Sequence, residues 1–157
     1  LMKLDAGAIK GFKSAEEINA MMRAAPDWSP AWKPGTTVAQ ATIKPGTTVR
    51  MVVDEAAFRS MEAGKLERAF GGWATFGDVP DLAYARNQLA LTSGMKSSSS
   101  ALYVVEVQIT KSINAQVGVV GEQGVAAGGG NQLHFFMPRD ERKSTLRYVG
   151  SSGRILK

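Results

Sequence analysis

Short strand-like apolar runs dominate the second half of the chain, and apolar positions recur at helical spacing in short stretches of the first half. Ala101–Ile109, ALYVVEVQI, is the strongest strand signal, and Val117–Val120, Leu133–Met137 and Leu146–Val149 supply others. PGTTV occurs twice, at Pro34–Val38 and Pro45–Val49. Each copy reads as a Pro-Gly turn launching a β-branched run, which predicts strands near Thr36–Ile43 and Thr47–Val53. Two copies indicate economy of turn design, since a solenoid needs at least three repeats.

Helical signals sit earlier. Ser14 followed by Glu17 is a capping box opening a helix over Ala15–Ala25, with Ile18, Met21 and Met22 on its apolar side. Pro26 and Pro30 end it, and Pro26–Pro34, with Trp28 and Trp32, reads as either a lid or a core plug. Asp54–Phe70 has helical propensity interrupted by Gly64, and Asp81–Leu91 places Leu82, Ala85 and Leu89 at helical spacing. Gly71–Phe76 is a glycine-aromatic punctuation, and Ser97–Ser100 a flexible polar link. Helices early and strands late predict an α+β fold, with short N-terminal helices and a split antiparallel β-sheet.

A length of 157 residues suits one domain with a sizeable core. The expected division is a helical and irregular segment over 1–33 and an α+β core over 34–157. No apolar run approaches the ~20 residues of a membrane span, and no signal peptide is evident. The opening LMKLDAGAIKGF reads as the cut edge of a larger protein. Without cysteine there is no disulfide, thiolate metal site or cysteine nucleophile, and a single histidine argues against a histidine-based zinc site. The net charge of +5 fits an anionic partner such as RNA, a nucleotide or an acidic protein inhibitor. The charge is dispersed, however, and the basic stretch Arg139–Arg147 is diluted by Asp140 and Glu141, so a solvated turn explains it as well as a nucleic-acid patch does.

Candidate chemistry concentrates in Val117–Phe136, VGVVGEQGVAAGGGNQLHFF. Gly128, Gly129 and Gly130 suit a place of close approach. In the strand that follows, Gln132 and His134 share one face, opposite Leu133 and Phe135. That pair suits the floor of a ligand pocket, and equally a solvated strand face. Arg50 offers a rigid fork for phosphate oxygens, and alone is as well explained as a surface arginine lying over a sheet. Arg86 lies in a helix-like segment where an ion pair is the usual role. Trp73 and Thr75 can stack on and hydrogen-bond a ring, although a tryptophan there is more often core.

In order along the chain, Arg50, Gly-Gly-aromatic-x-Thr at Gly71–Thr75, Arg86, YVVEVQI at Tyr103–Ile109, VGVVG at Val117–Gly121 and GGGNQ at Gly128–Gln132 resemble the tuberculosis necrotizing toxin family of NAD glycohydrolases. The resemblance spans about Thr47–Phe136, and Leu133 stands where that family has an aromatic residue. It implies an ADP-ribosyltransferase-like fold, NAD(P) as substrate and no cofactor. It also implies a catalytic role for Gln132 and a dinucleotide-binding role for Arg50 and Arg86. Arg86 and His134 are further catalytic candidates, and Trp73, Thr75, Gly129 and Gly130 are substrate-binding candidates. The layout is similar too to the C-terminal toxin domains of contact-dependent inhibition and other polymorphic bacterial toxins. That implies a cognate immunity protein, delivery from a secreted or cell-surface parent, and action in the target-cell cytoplasm.

The alternatives are a toxin ribonuclease cutting tRNA, an ADP-ribosyltransferase, and a non-enzymatic binding module. The ribonuclease would use His134 as acid or base, with Lys96, Arg139 or Lys143 on phosphate. It would need His134, whereas the NAD hydrolase would need Gln132 and an arginine.

Overall fold

The computed structural model describes residues 9–21, 31–66, 69–91, 96, 100–121, 123, 126–135 and 137–157. Met22, Pro26, Trp28, Pro30 and most of the Ser97–Ser100 link lie outside them. Nine strands are described: β1 (Ile9–Ser14), β2 (Thr37–Ile43), β3 (Thr48–Asp54), β4 (Trp73–Ala74), β5 (Leu102–Ile109), β6 (Ile113–Val119), β7 (Asn131–Phe135), β8 (Leu146–Tyr148) and β9 (Arg154–Ile155). The described helices are α1 (Ala15–Met21), α2 (Glu55–Glu62), α3 (Leu82–Asn87) and α4 (Arg142–Thr145). The fold is α+β, as the sequence predicts, and all described strand pairs are antiparallel.

One sheet has the order β1-β2-β6-β7-β4, and the other runs β3-β5-β8 with β9 also on β5. They meet where Arg50 and Thr75 exchange two backbone hydrogen bonds, both 2.8 Å. Between the sheets lies a core that includes Val49, Met51, Phe70, Val107, Leu133 and Phe135. Phe70 and Phe135 are 1% and 2% exposed, and full burial of such side chains contributes about 1.5–3 kcal/mol each.

Local sequence accounts for much of this. In both PGTTV copies the glycine has positive φ, +82° at Gly35 and +88° at Gly46. The turns close with Thr36 N–H donating to the Lys33 carbonyl and Thr47 N–H to the Lys44 carbonyl. A left-handed residue after proline is the signature of a type II turn. Ser14 Oγ accepts from Glu17 N–H at 3.1 Å, the capping interaction its spacing predicts. Asp54 and Asp81 cap α2 and α3 by accepting from Ala57 N–H and Tyr84 N–H.

Helices α2 and α3 are shorter than their patterns suggest. Helix α2 stops at Glu62, well before Phe70, because Gly64 takes a φ of +74°. Helix α3 ends at Asn87, and Ala90 has a φ of +52°. Three elements are not marked by the sequence pattern. Ile9–Ser14, which overlaps the opening stretch, is a strand on β2. Trp73 and Ala74, inside the glycine-aromatic punctuation, pair with β7. Within the basic stretch, Arg142–Thr145 is helix α4, with Thr145 buried. No described helix is long and apolar enough to cross a membrane.

Candidate functional site

Strand β7 divides its side chains as the alternation predicts. Leu133 and Phe135 enter the core at 0% and 2% exposure, while Gln132 and His134 lie on the other face, half-buried. Trp73 stands opposite His134 in register, and the two rings stack with centroids 4.2 Å apart and planes 22° apart. Trp32 tilts against Trp73 at 5.7 Å. Trp32 is fully buried among Ala15, Ile18 and Val38, so of the two readings for its segment this residue is a core plug. Asn19 of α1 clamps its backbone at both N–H and C=O. Gly118, opposite Gln132, explains how the indole lies so close: a Cβ there would stand 3.0 Å from it.

Gln132 is oriented by its own amide. Its Nε2 donates to the Ala31 carbonyl at 2.8 Å, and Gly121 N–H donates to the same oxygen. With the amino group committed there, Oε1 is the acceptor this side chain offers a ligand. His134 is held below its ordinary pKa, first by burial and second by the cationic Arg142. Its imidazole is therefore neutral at neutral pH. Arg142 donates to the Phe70 carbonyl at 3.1 Å and passes beside Gly72, where a Cβ would stand 3.0 Å from Nη2 and 3.6 Å from His134 Cδ2.

The same register continues away from β7. Gln116 of β6 lies opposite His134, and Gln40 of β2 opposite Gln116, so Gln40, Gln116, His134 and Trp73 form one row across four strands. Gln116 is 4% exposed, and its Oε1, the Nε2 of Gln40 and the Nε1 of Trp32 are buried without a hydrogen-bond partner. Such groups cost about 1–3 kcal/mol each. Gln116, Gln40 and Arg142 were missed by sequence reasoning. The available signal was a glutamine at alternating spacing within the apolar strands INAQVGV and TVAQATI. An open depression of about 360 Å³ lined by Lys10, Gln40, Ala41, Asn114 and Ala115 lies at the β1–β2–β6 side of this sheet, away from Trp73.

Arg50 belongs to the other sheet. It shares a face with its cross-strand neighbour Glu106, to which Nη2 approaches at 3.3 Å. Its Nη1 donates to the Phe76 carbonyl at 3.4 Å, and Nε lies 3.9 Å from Asp78 Oδ1. Thr75, 2% exposed, fastens the two sheets: its backbone pairs with Arg50 and its Oγ1 donates to Asn131 Oδ1 at 2.8 Å. Phe76 N–H donates to that oxygen as well, at 3.1 Å. Asn131 thus locks the residue before Gln132 to the strand beside Arg50.

Arg86 is half-buried on α3, with Nη1 donating to the carbonyls of Leu91 and Lys96. The glycine loop packs on the end of that helix. Gly128 N–H donates to the Asn87 carbonyl and Gly130 N–H to that of Gln88. A Cβ on Gly128 would lie 2.5 Å from the Val120 carbonyl oxygen, and one on Gly130 3.0 Å from that of Gln88. At these two glycines the close approach is made by the chain itself. Gly129, exposed and at φ +100°, has the Gln88 side chain nearest. Among the described residues no cluster of three or more His, Asp or Glu is placed to hold a metal ion.

No protein-family model and no curated protein matches this sequence. Several solved structures resemble it, among them three complexes. Rhs1-CT in complex with its cognate immunity protein RhsI1 is 11% identical with a TM-score of 0.41, over 92% of this chain and 96% of that one. Tse6 in complex with Tsi6 is 14% identical, TM-score 0.53, over 86% and 93%, a likeness of fold. Tne2 in complex with Tni2 is 31% identical with a TM-score of 0.69, over 80% of this chain and 98% of that one. At that identity and coverage, the chain belongs to the Tne2 family.

Proposed function

We propose that this chain is a polymorphic bacterial toxin domain that hydrolyses NAD(P) at the nicotinamide–ribose bond. In this reading it is carried by a larger secreted or cell-surface protein, acts in the target-cell cytoplasm and is neutralised by a cognate immunity protein. Membership of a family whose Tne2 is solved bound to a second protein, Tni2, supports a dedicated partner. Two antiparallel sheets joined at Arg50–Thr75 are compatible with an ADP-ribosyltransferase-like fold. The observation that supports the reading is Gln132: it shares the β7 face on which Trp73 and His134 stack, and its amide is anchored through Nε2 to Ala31, which leaves Oε1 as the acceptor.

Breaking the nicotinamide–ribose bond builds positive charge on the ribose ring, and nicotinamide leaves as a neutral amide. A strong acid or nucleophile is not required. A fixed neutral acceptor near a ribose hydroxyl stabilises the developing charge, and Gln132 Oε1 is that acceptor. A transferase activating an acceptor nucleophile would favour a carboxylate at this position, so the amide favours hydrolysis. Trp73 and the neutral His134 provide a flat, uncharged surface for a ring. Arg50 holds the diphosphate. Arg86 takes part only by exchanging its Leu91 and Lys96 carbonyls for phosphate oxygens.

Incubation of the purified chain with NAD tests this, with nicotinamide release followed by chromatography and total tRNA incubated in parallel. Nicotinamide release with intact tRNA is expected. Intact NAD with cleaved tRNA overturns the reading in favour of a ribonuclease.

A further inference from the structure

We propose that Arg154 is the second guanidinium of a diphosphate site shared with Arg50, and that the Asp78 carboxylate stands in that site as an internal substitute for the ligand. Arg50 on β3 and Arg154 on β9 flank opposite sides of β5, in register with Glu106 and Val104 respectively. Both guanidiniums converge on one oxygen: Asp78 Oδ1 is 3.9 Å from Arg50 Nε and 3.6 Å from Arg154 Nη2. Both are also pre-oriented by carbonyls of one segment. Arg50 donates to Phe76, and Arg154 donates to Val79 at 2.6 Å and Pro80 at 3.3 Å.

The fit of Asp78 is loose. Charge-assisted hydrogen bonds between a guanidinium and an oxyanion close to about 2.7–2.9 Å, and neither arginine comes that near. Asp78 is 67% exposed and Arg154 47%, so these pairs contribute little and exchange readily. Two forks held by fixed carbonyls around a loosely placed, exposed Asp78, with Glu106 beside Arg50 at 3.3 Å, can exchange Asp78 for an anion with more acceptor oxygens. A diphosphate, with one phosphate per guanidinium, has that shape and charge. As an anion site the cluster stands by itself, whereas assigning its ligand as the diphosphate of a dinucleotide rests on the function proposed above. An ordinary surface ion-pair network would instead use Asp78 for stability and bind nothing.

The test is calorimetric titration of the full chain with inorganic pyrophosphate at low ionic strength, for wild type, Arg154→Gln, Arg154→Lys and Asp78→Asn. Melting temperatures confirm that each variant is folded. Pyrophosphate binds wild type more tightly than orthophosphate does. Arg154→Gln weakens pyrophosphate binding about ten-fold, the loss of one charge-assisted contact, and lysine recovers part of it. Asp78→Asn removes the competing carboxylate and tightens binding several-fold. For NAD, Arg154→Gln raises KM with kcat little changed. Wild-type affinity in Arg154→Gln, or weaker binding in Asp78→Asn, overturns the proposal. Failure of the two readings is separable. The expected pyrophosphate order without nicotinamide release sinks the hydrolase and leaves the anion site. Nicotinamide release with Arg154→Gln unchanged in KM and pyrophosphate affinity sinks the anion site and leaves the hydrolase.

Discussion

The two sheets carry the same kind of residue inward and opposite chemistry outward. Val49, Met51 and Val107 of one sheet meet Leu133 and Phe135 of the other in a single apolar core. On its outer face the five-stranded sheet presents Gln132, His134 and Trp73, with Gln116 buried beside them, all neutral at neutral pH. The four-stranded sheet presents Arg50, Glu106 and Arg154. The strand residues of one face are amide and aromatic, with the Arg142 guanidinium beside His134, those of the other are ionic, and the Arg50–Thr75 bridge joins the two sheets. A dinucleotide has the same duality, with a neutral ring and sugar at one end and a charged diphosphate in its middle. In each strand the core constrains every second residue, and the candidate chemistry occupies the rest.

Gln132→Ala offers the sharpest way to break the comparison. If the neutral face does the chemistry, losing Oε1 lowers kcat for nicotinamide release by about 10²–10³-fold, the usual loss for one preorganised polar contact, with KM little changed. His134→Ala costs less, since the leaving amide needs no protonation by histidine. The opposite ranking, measured beside tRNA integrity, would point to a ribonuclease.

The joint between the faces comes next. Asn131→Ala strips a partner from the hydroxyl of Thr75, a buried residue, and from Phe76 N–H. We expect a loss of about 2 kcal/mol in denaturant unfolding, within the range for an orphaned buried group. Asn131→Asp keeps the acceptor and retains most of the stability. Equal losses in both variants would mean that the hydrogen bonds to Oδ1 are not what joins the sheets.

Arg50→Ala probes the ionic face, and its effect falls on affinity. KM for NAD rises about ten-fold or more, the loss of a charge-assisted contact, while kcat changes much less. Lysine restores only part, because a point charge cannot reproduce a two-pronged contact. Full rescue by lysine would remove the case for a shaped phosphate clamp.

How much of this was legible beforehand follows from where the determinants lie. The two Pro-Gly turns, the caps at Ser14, Asp54 and Asp81, and strands β2, β3, β5, β7 and β8 are set by neighbours within a few residues, so the sequence displays them, whereas β6 begins at Ile113, four residues before the run at Val117 that marks it. Strand β4 has two residues and pairs with β7 some sixty positions later; nothing local marks it. The same holds for the site. Alternation alone put Gln132 and His134 on one face, but Gln116 reaches that face through strand pairing and Arg142 through its approach past Gly72. Arg154 joins Arg50 only because β9 folds back on β5. The glycines were readable as places of close approach, but not what approaches: for Gly128 and Gly130 it is the chain itself.

The smallest expected effect tests whether the neutral face is neutral. His134 titrates near 6.5 when unfolded and lower when folded, because burial first and Arg142 second penalise its charged form. Below pH 6.5 the unfolded chain therefore binds more protons than the folded one, and the free energy of unfolding falls with pH. The loss begins at the unfolded pKa and ends at the lower folded one. His134 is the only histidine in the chain, and unperturbed carboxylates titrate further down, so the window from about pH 6.5 to 5 belongs mainly to this side chain. Thermal melts across that window should show stability declining as pH falls in the wild type. They should show a flatter profile in His134→Phe, which keeps an aromatic ring against Trp73 but cannot titrate. Arg142→Ala removes the smaller cause and should shrink the slope without abolishing it. If wild type and His134→Phe lose stability in parallel, the imidazole is not held neutral by the fold, and the contrast between an uncharged and an ionic face fails at its central residue.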